Sequence, residues 1–328
     1  MIATELEEET EQIFRGQPAT VSVVLPSYNH ARFIEATLRS IMKQTFPPSE
    51  LIVIDDGSAD DSVVVIDRVL NECPFPCELV ARGNRGLCAT LNEGFARTRG
   101  DYFAYLGSDD LWLPDFLKAR VKLLDSRPDA ILGYGHAYFI DEQNRIIDTT
   151  AEWAPYEDGN VTEMLLETTA PMSPTVVYRR KGLEAQRWNE ESKLEDYDLY
   201  LRLSSEGSFA FDPRILSAWR RHRSNASWDQ GLMLEEQLQA QHRAAIRFGL
   251  TDKQIEELQR ATRFRRAEDF LRVGQKSQAL RLIMHNLRGA HSARATTKIL
   301  LRLVMPGSLM RGWARIRQRK AFRRYGTL

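Results

Sequence analysis

Tyr102-Phe103-Ala104-Tyr105-Leu106-Gly107-Ser108-Asp109-Asp110 is the stretch on which the fold turns. Five apolar residues in unbroken succession read as a strand buried on both faces. The strand ends on two adjacent carboxylates, and Leu111-Trp112-Leu113-Pro114 follows. Carboxylates are almost never fully buried unless they are paired or bound to a cation. At the carboxyl end of a core strand they are placed to hold a hard cation such as Mg²⁺ or Mn²⁺, which takes oxygen ligands and bridges to phosphate. The plain alternative is a polar turn between strand and helix.

The same pattern recurs upstream. Val21 to Leu25, Leu51 to Ile54 and Glu78 to Val80 read as strands. Between them, residues 31–43, 62–70 and 86–97 carry apolar residues at helical spacing. Strands that alternate with helices and are apolar on both faces predict a parallel sheet covered on both sides. Ligands of such sheets bind at the carboxyl ends of the strands. Here those ends are Pro26-Ser27-Tyr28-Asn29, Asp55-Asp56-Gly57-Ser58, Asn84-Arg85-Gly86 and Ser108-Asp109-Asp110, four polar ends that converge on one edge. Residues 131–150 predict a hairpin turning at Asp141-Glu142-Gln143-Asn144. From about residue 228 the period is helical, with Gly274 as the break in a helical hairpin.

Composition narrows the class. The 328 residues are 43% apolar and 27% charged, as in globular domains. No apolar run approaches the ~20 residues of a membrane-spanning helix, and the acidic N-terminus lacks the apolar stretch of a secretory signal. The expected location is the cytoplasm. Cys73, Cys77 and Cys88 form no zinc or disulfide pattern and read as free thiols. Zero net charge hides an asymmetry: no acidic residue follows Asp269, yet that stretch holds 14 of the 45 Lys and Arg. Expected boundaries are an acidic leader over 1–19, an α/β domain over 20–228, and a helical extension over 229–328 that ends in a basic amphipathic tail.

Five segments, in order, resemble family 2 glycosyltransferases: Val21 to Asn29, Glu50 to Ser58, Asn84-Arg85-Gly86 with Asn92-Glu93-Gly94, Gly100 to Asp110 with Pro114, and Glu195-Asp196-Tyr197-Asp198-Leu199 with Arg202. The resemblance spans roughly residues 20–228. It implies an α/β GT-A fold, with a mostly parallel central sheet flanked by helices. It also implies transfer of a sugar from a nucleotide-diphosphate donor, a UDP-sugar by preference, with inversion at the anomeric carbon.

On that resemblance Pro26, Ser27, Tyr28, Asn29, Asp56, Asn84, Gly86, Ser108 and Asp109 would bind the nucleotide. Tyr28 would stack on the base, and Asp56 would accept from its N–H. Asp110, with Asp109, would hold Mg²⁺ or Mn²⁺. Relatives often carry a third carboxylate where this chain has Gly107, so the pair is expected to be a half-site completed by the donor's diphosphate. Asp196 would be the base that deprotonates the acceptor hydroxyl, with Glu195 in support. His222 and Arg220 are candidates for the diphosphate or the metal, and Arg221 and Arg223 are further cations beside them.

The expected acceptor is a saccharide or lipid-linked saccharide of surface polysaccharide or glycolipid synthesis. The basic tail suits the anionic inner face of the cell membrane, or else packs on the acidic body or forms a solvated helix; nucleic acid is not expected, because no recognition motif accompanies the charge. The alternative reading is a non-catalytic sugar-nucleotide-binding or scaffold protein.

Overall fold

The computed structural model describes residues 19–222, 225, 228–290 and 292–328. Residues 1–18 of the expected leader, and Arg223, lie outside the described residues. The strands are β1 (Val21–Ser27), β2 (Glu50–Asp55), β3 (Cys77–Ala81), β4 (Tyr102–Tyr105), β5 (Leu111–Trp112), β6 (Ala130–Ile140), β7 (Ile146–Thr149), β8 (Val177–Arg179) and β9 (Ser208–Arg220). They form a single sheet in the order β3-β2-β1-β4-β8-β6-β9-β5, with β7 also paired to β6. The sheet is parallel from β3 to β4. Beyond β4 it becomes mixed: β8 runs antiparallel to β4 and β6, β6 runs parallel to β9, and β5 runs antiparallel to β9.

The parallel half follows from its residues. Along β1, β2 and β4, alternate side chains go to opposite faces, so an apolar run feeds two cores. Val24, Ile52, Ile54, Phe103 and Tyr105 enter one core. Val23, Leu25, Leu51, Val53 and Ala104 enter the other. Each fully buried Leu or Val contributes roughly 1.5–3 kcal/mol.

The helices are α1 (Ile34–Met42), α2 (Ser62–Leu70), α3 (Leu87–Arg97), α4 (Phe116–Asp125), the short α5 (Thr162–Leu166) and α6 (Arg180–Ala185), and α7 (Glu195–Leu203). α1, α2 and α4 cover the second core through Ile34, Leu38, Ile66 and Phe116. α3 and α7 cover the first through Leu91, Phe95, Leu199 and Leu201. The expected hairpin is β6–β7, and Asn144 at its turn takes the left-handed conformation at φ 61°. The mixed half was not foreseen because β5 and β8 have two and three residues, too few to show a period.

The C-terminal helices are α8 (Gln230–Arg247), α9 (Asp252–Arg272), α10 (Lys276–Asn286), α11 (Ala293–Val304) and α12 (Gly307–Tyr325). Gly274, at φ 84°, makes the turn between α9 and α10 that only glycine takes without strain. Phe264, Phe270, Leu271, Ile283 and Ile299 build a separate apolar cluster. α8 does not follow that division: its Ala240 and Ala244 are buried in the core under the sheet.

Candidate active site

The site assembles where the parallel strands end. After β1, Ser27 is buried, whereas Tyr28 is 50% exposed, a flat ring at the sheet edge. Asn29 adopts φ 54°. Its amide donates to Ser58 Oγ at 2.8 Å, and its Oδ1 accepts the Ala59 amide at 2.7 Å. Asp55 accepts the Ser58 amide at 2.8 Å and the Ser58 hydroxyl at 2.6 Å. Asn29 and Asp55 thus lace the first two strand ends together.

Asp56 is buried and accepts from three donors: the Arg82 guanidinium, the Arg85 amide at 2.8 Å and the Gly86 amide at 2.8 Å. A carboxylate offers about four lone-pair directions, so one remains for a ligand donor. Gly57 is obligatory beside it. It sits at φ 83°, and a Cβ there would lie 2.8 Å from the Asn84 backbone nitrogen. Asn84 itself is exposed.

The loop after β4 is pinned from two sides. Thr37 on α1 donates toward the carbonyls of Ser108 (3.0 Å) and Asp110 (2.8 Å). Arg220, at the end of β9, donates its amide to Asp110 Oδ1 at 2.8 Å, its Nε to the Asp109 carbonyl at 2.7 Å and its Nη1 to the Asp141 carbonyl at 2.8 Å. The guanidinium, 1% exposed, also lies over the Phe33 ring. That setting makes Arg220 a support of the loop rather than a free cation for a diphosphate. Arg221 lies over Phe139.

Asp109 and Asp110 part company. Asp109 Oδ2 meets His222 Nε2 at 2.7 Å and the Asn225 side-chain amide at 3.3 Å, while Oδ1 lies 3.8 Å from His30 Nδ1. One ligand atom from each of His30, Asp109 and His222 falls within 4.8 Å of the others. Ligand atoms about 2.1 Å from one ion lie roughly 3–4 Å apart, so modest side-chain adjustment lets these three hold a divalent cation. Burial lowers the His30 pKa, His222 lowers it further and Asp109 opposes both; the neutral imidazole is the ligating form. Asp110 stands outside this trio. Burial, and then the charge of Asp109, push its carboxyl well above the usual range.

Glu195 and Asp196 open α7. Burial pushes Asp196 up to about 6. Burial, and then the charge of Asp196, push Glu195 up to about 8. Tyr105, the last residue of β4, directs its hydroxyl to Glu195 Oε1 at 3.5 Å, which ties α7 to the strand that leads to Asp109. Asp198 faces away from this pair and accepts from Arg202 and from Arg243 of α8, both at 2.9 Å.

His30, Tyr105 and Arg82 contact the expected site residues and were not themselves read as site residues from the sequence. For His30 a signal existed: it is a histidine one residue past the polar end of the first strand. The others depend on contacts between segments distant in sequence.

Residues 22–186, about half of the chain, match the family model described as glycosyl transferase family 2. An uncharacterized glycosyltransferase of Nostoc sp. (strain PCC 7120) is 29% identical over 168 residues, 50% of this chain and 52% of that protein. Chondroitin synthase of Escherichia coli is 26% identical over 229 residues, 67% of this chain and 32% of that one. The chain thus spans about half the length of the first of these relatives and about a third of the second. TarS 1-349 of S. aureus in complex with UDP-GlcNAc superimposes with a TM-score of 0.59 at 16% identity, covering 94% of this chain and 90% of that one. The mannosyltransferase PcManGT from Pyrobaculum calidifontis, in complex with GDP-Man and Mn²⁺, does so with a TM-score of 0.58 at 19% identity, covering 95% and 90%. At such identities the likeness carries the fold, which is of the GT-A type.

Proposed function

Because the chain belongs to glycosyl transferase family 2, we propose that it moves a sugar, with inversion, from a nucleotide-diphosphate donor to a hydroxyl of a saccharide or lipid-linked acceptor. A UDP-sugar is the favoured donor. The observation that carries the reading is the Asp109–His222 contact of 2.7 Å, on the same sheet edge as Tyr28 and Asp56. Two of the similar solved structures hold UDP-GlcNAc and GDP-Man, which fits a nucleotide at that edge. Surface polysaccharide or glycolipid synthesis on the inner face of the cell membrane is the setting that suits such an acceptor and the basic tail.

Each residue then has a task. Tyr28 stacks on the base, and the free lone pair of Asp56 accepts a base N–H while its other bonds keep the Arg85-Gly86 turn in place. Asp109 and His222, with His30, are the residues that would hold Mn²⁺ or Mg²⁺. When bound, that ion supplies counter-charge for the departing diphosphate. Asp196, ionised, takes the proton of the acceptor hydroxyl as its oxygen attacks the anomeric carbon from the face opposite the leaving group. Glu195, protonated over the same range, adds no second charge beside it.

The test is a panel of nucleotide sugars, with and without Mn²⁺, read by calorimetry and by donor hydrolysis. A donor that binds, and that the Asp196→Asn variant binds but does not turn over, is expected. Binding with no turnover by the unaltered chain would favour a non-catalytic binding protein. No binding of any nucleotide diphosphate would remove the proposal.

A further inference from the structure

α12 is a 19-residue helix in which no side chain is buried. It is held at its far end. Gly326 and Leu328 bond to the β6–β7 hairpin, the Gly326 carbonyl accepting the Ile146 amide at 3.0 Å and the Leu328 amide donating to Asn144 at 3.1 Å. Tyr325 packs on Tyr138, Arg317 pairs with Asp148 at 3.4 Å and Arg324 with Glu152 at 3.1 Å. The rest of the helix meets solvent. Leu309, Trp313 and Ile316, spaced to share one face, are 54%, 65% and 65% exposed. Arg311, Arg315, Arg319 and Arg323 recur every fourth residue beside them, and among the described residues none has an ion-pair partner.

α11 adds to the same face. Leu301 and Val304 are 58% and 76% exposed. Between α11 and α12 lies a cleft of about 490 Å³ lined by Arg294, Lys298 and Arg302 on one chemistry and Leu301, Met305 and Trp313 on the other. Lys298 and Arg302 also reach Glu268, whereas Arg294 has no ion-pair partner among the described residues. No helix of the described residues is long and apolar enough to cross a membrane.

We propose that α11 and α12 form a docking face for an anionic phospholipid membrane, with the inter-helix cleft taking a lipid phosphate at Arg294. The charge and the apolar surface point to that occupant together. An apolar wedge bearing a tryptophan and flanked by unpaired arginines lies in the boundary between headgroups and acyl chains. A second copy of the chain is a poor fit, since four arginines in register would face four more. The purpose given to this face, presentation of the active site to a lipid-linked acceptor, rests on the transferase reading above; the membrane binding does not.

The experiment is flotation of the full chain with vesicles of phosphatidylcholine alone and with about 30 mol% phosphatidylglycerol, at low and high salt. Binding to the anionic vesicles alone, weakened by salt, is expected. Replacing Arg311, Arg315, Arg319 and Arg323 with Gln is expected to lower partitioning at least about ten-fold. Trp313→Ser is expected to weaken it on its own, and Arg294→Gln to reduce the preference for anionic over neutral vesicles. All these positions are exposed or on the cleft wall, and an unchanged circular dichroism spectrum and cooperative melting transition in each variant confirm folding. Equal binding to neutral vesicles, no binding to either, or unchanged binding by the four-arginine variant overturns the proposal, as does concentration-dependent dimerisation that Trp313→Ser abolishes. A chain that hydrolyses donor yet ignores vesicles overturns the docking face and leaves the transferase reading intact.

Discussion

Glu236 of α8 accepts the backbone amide of Lys193 at 2.7 Å and the hydroxyl of Ser192 at 3.1 Å, two and three residues before the Glu195-Asp196 pair. From the other side, Asn92 of α3 brackets Trp188, its Oδ1 accepting the Trp188 amide at 3.0 Å and its Nδ2 donating to the carbonyl at 2.9 Å. The segment leading into α7 is therefore clamped between α3 and α8.

Glu236→Ala should strip the acceptor from a part-buried amide and a buried hydroxyl. An unsatisfied buried donor costs about 1–3 kcal/mol, so the hydroxyl alone sets an expected loss of about 1–3 kcal/mol in urea unfolding, the amide adding less because water can reach it. The proposed turnover should fall through kcat, with the donor KM little changed, because Glu236 touches the segment that positions Asp196 and no donor-binding residue. Glu236→Gln keeps one acceptor and should recover part of both losses.

The pH dependence follows from the two raised carboxyls. As the proposed base, Asp196 must be ionised, so the rate should rise with pH through about 6. Above about 8 Glu195 loses its proton and places a second charge beside Asp196, and the rate should fall. Glu195→Gln should abolish the falling limb and keep the rising one. Stability carries the opposite sign to the rising limb. Both folded-state pKa values lie above the unfolded ones, so the contribution of the pair is fully present below about pH 4. It is lost as pH rises through about 6 and then about 8. Melting temperatures of Asp196→Asn should accordingly decline less between pH 5 and 8 than those of the unaltered chain.

Two imidazoles and one carboxylate are a nitrogen-rich set. Such sets favour borderline transition metals over Mg²⁺, which prefers oxygen and water. Mn²⁺ titration followed by electron paramagnetic resonance should give tighter binding than Mg²⁺ competition does. His222→Ala should weaken Mn²⁺ at least about ten-fold. His30→Ala should weaken Mn²⁺ more than Mg²⁺ and so narrow the gap between them. An unchanged gap would place His30 outside the ligand set.

How much of this was legible beforehand depended on distance along the chain. β1, β2 and β4 were readable because each is a continuous apolar run, and their polar ends were readable because a carboxylate or an asparagine interrupts that run. The hairpin at Asp141 to Asn144 announced itself by local turn chemistry. The mixed half of the sheet was not readable, since β5 and β8 are too short for a period and are fixed by partners far away, Tyr102 with Arg179 and Leu111 with Ala218. For the same reason the roles of Asp109 and Asp110 could not be separated. What divides them is His222 and the Arg220 amide, each more than a hundred residues downstream.

Gly107 tests the idea of a half-site directly. A Cβ there would stand 3.1 Å from Asp109 Oδ1 and 3.2 Å from Asp110 Oδ2, so the position faces both carboxylates. Gly107→Asp brings a third carboxylate to within contact of a buried pair whose second member already resists ionisation. Without metal the crowding and the added like charge should destabilise the fold, and a fall of several degrees in melting temperature is expected. Saturating Mn²⁺ should recover more of that loss in the variant than it adds to the unaltered chain, because the new charge is neutralised only by the ion. Mg²⁺ should gain more than Mn²⁺, since the added ligand is oxygen. A variant destabilised equally with and without metal would show that Gly107 is kept for packing space alone.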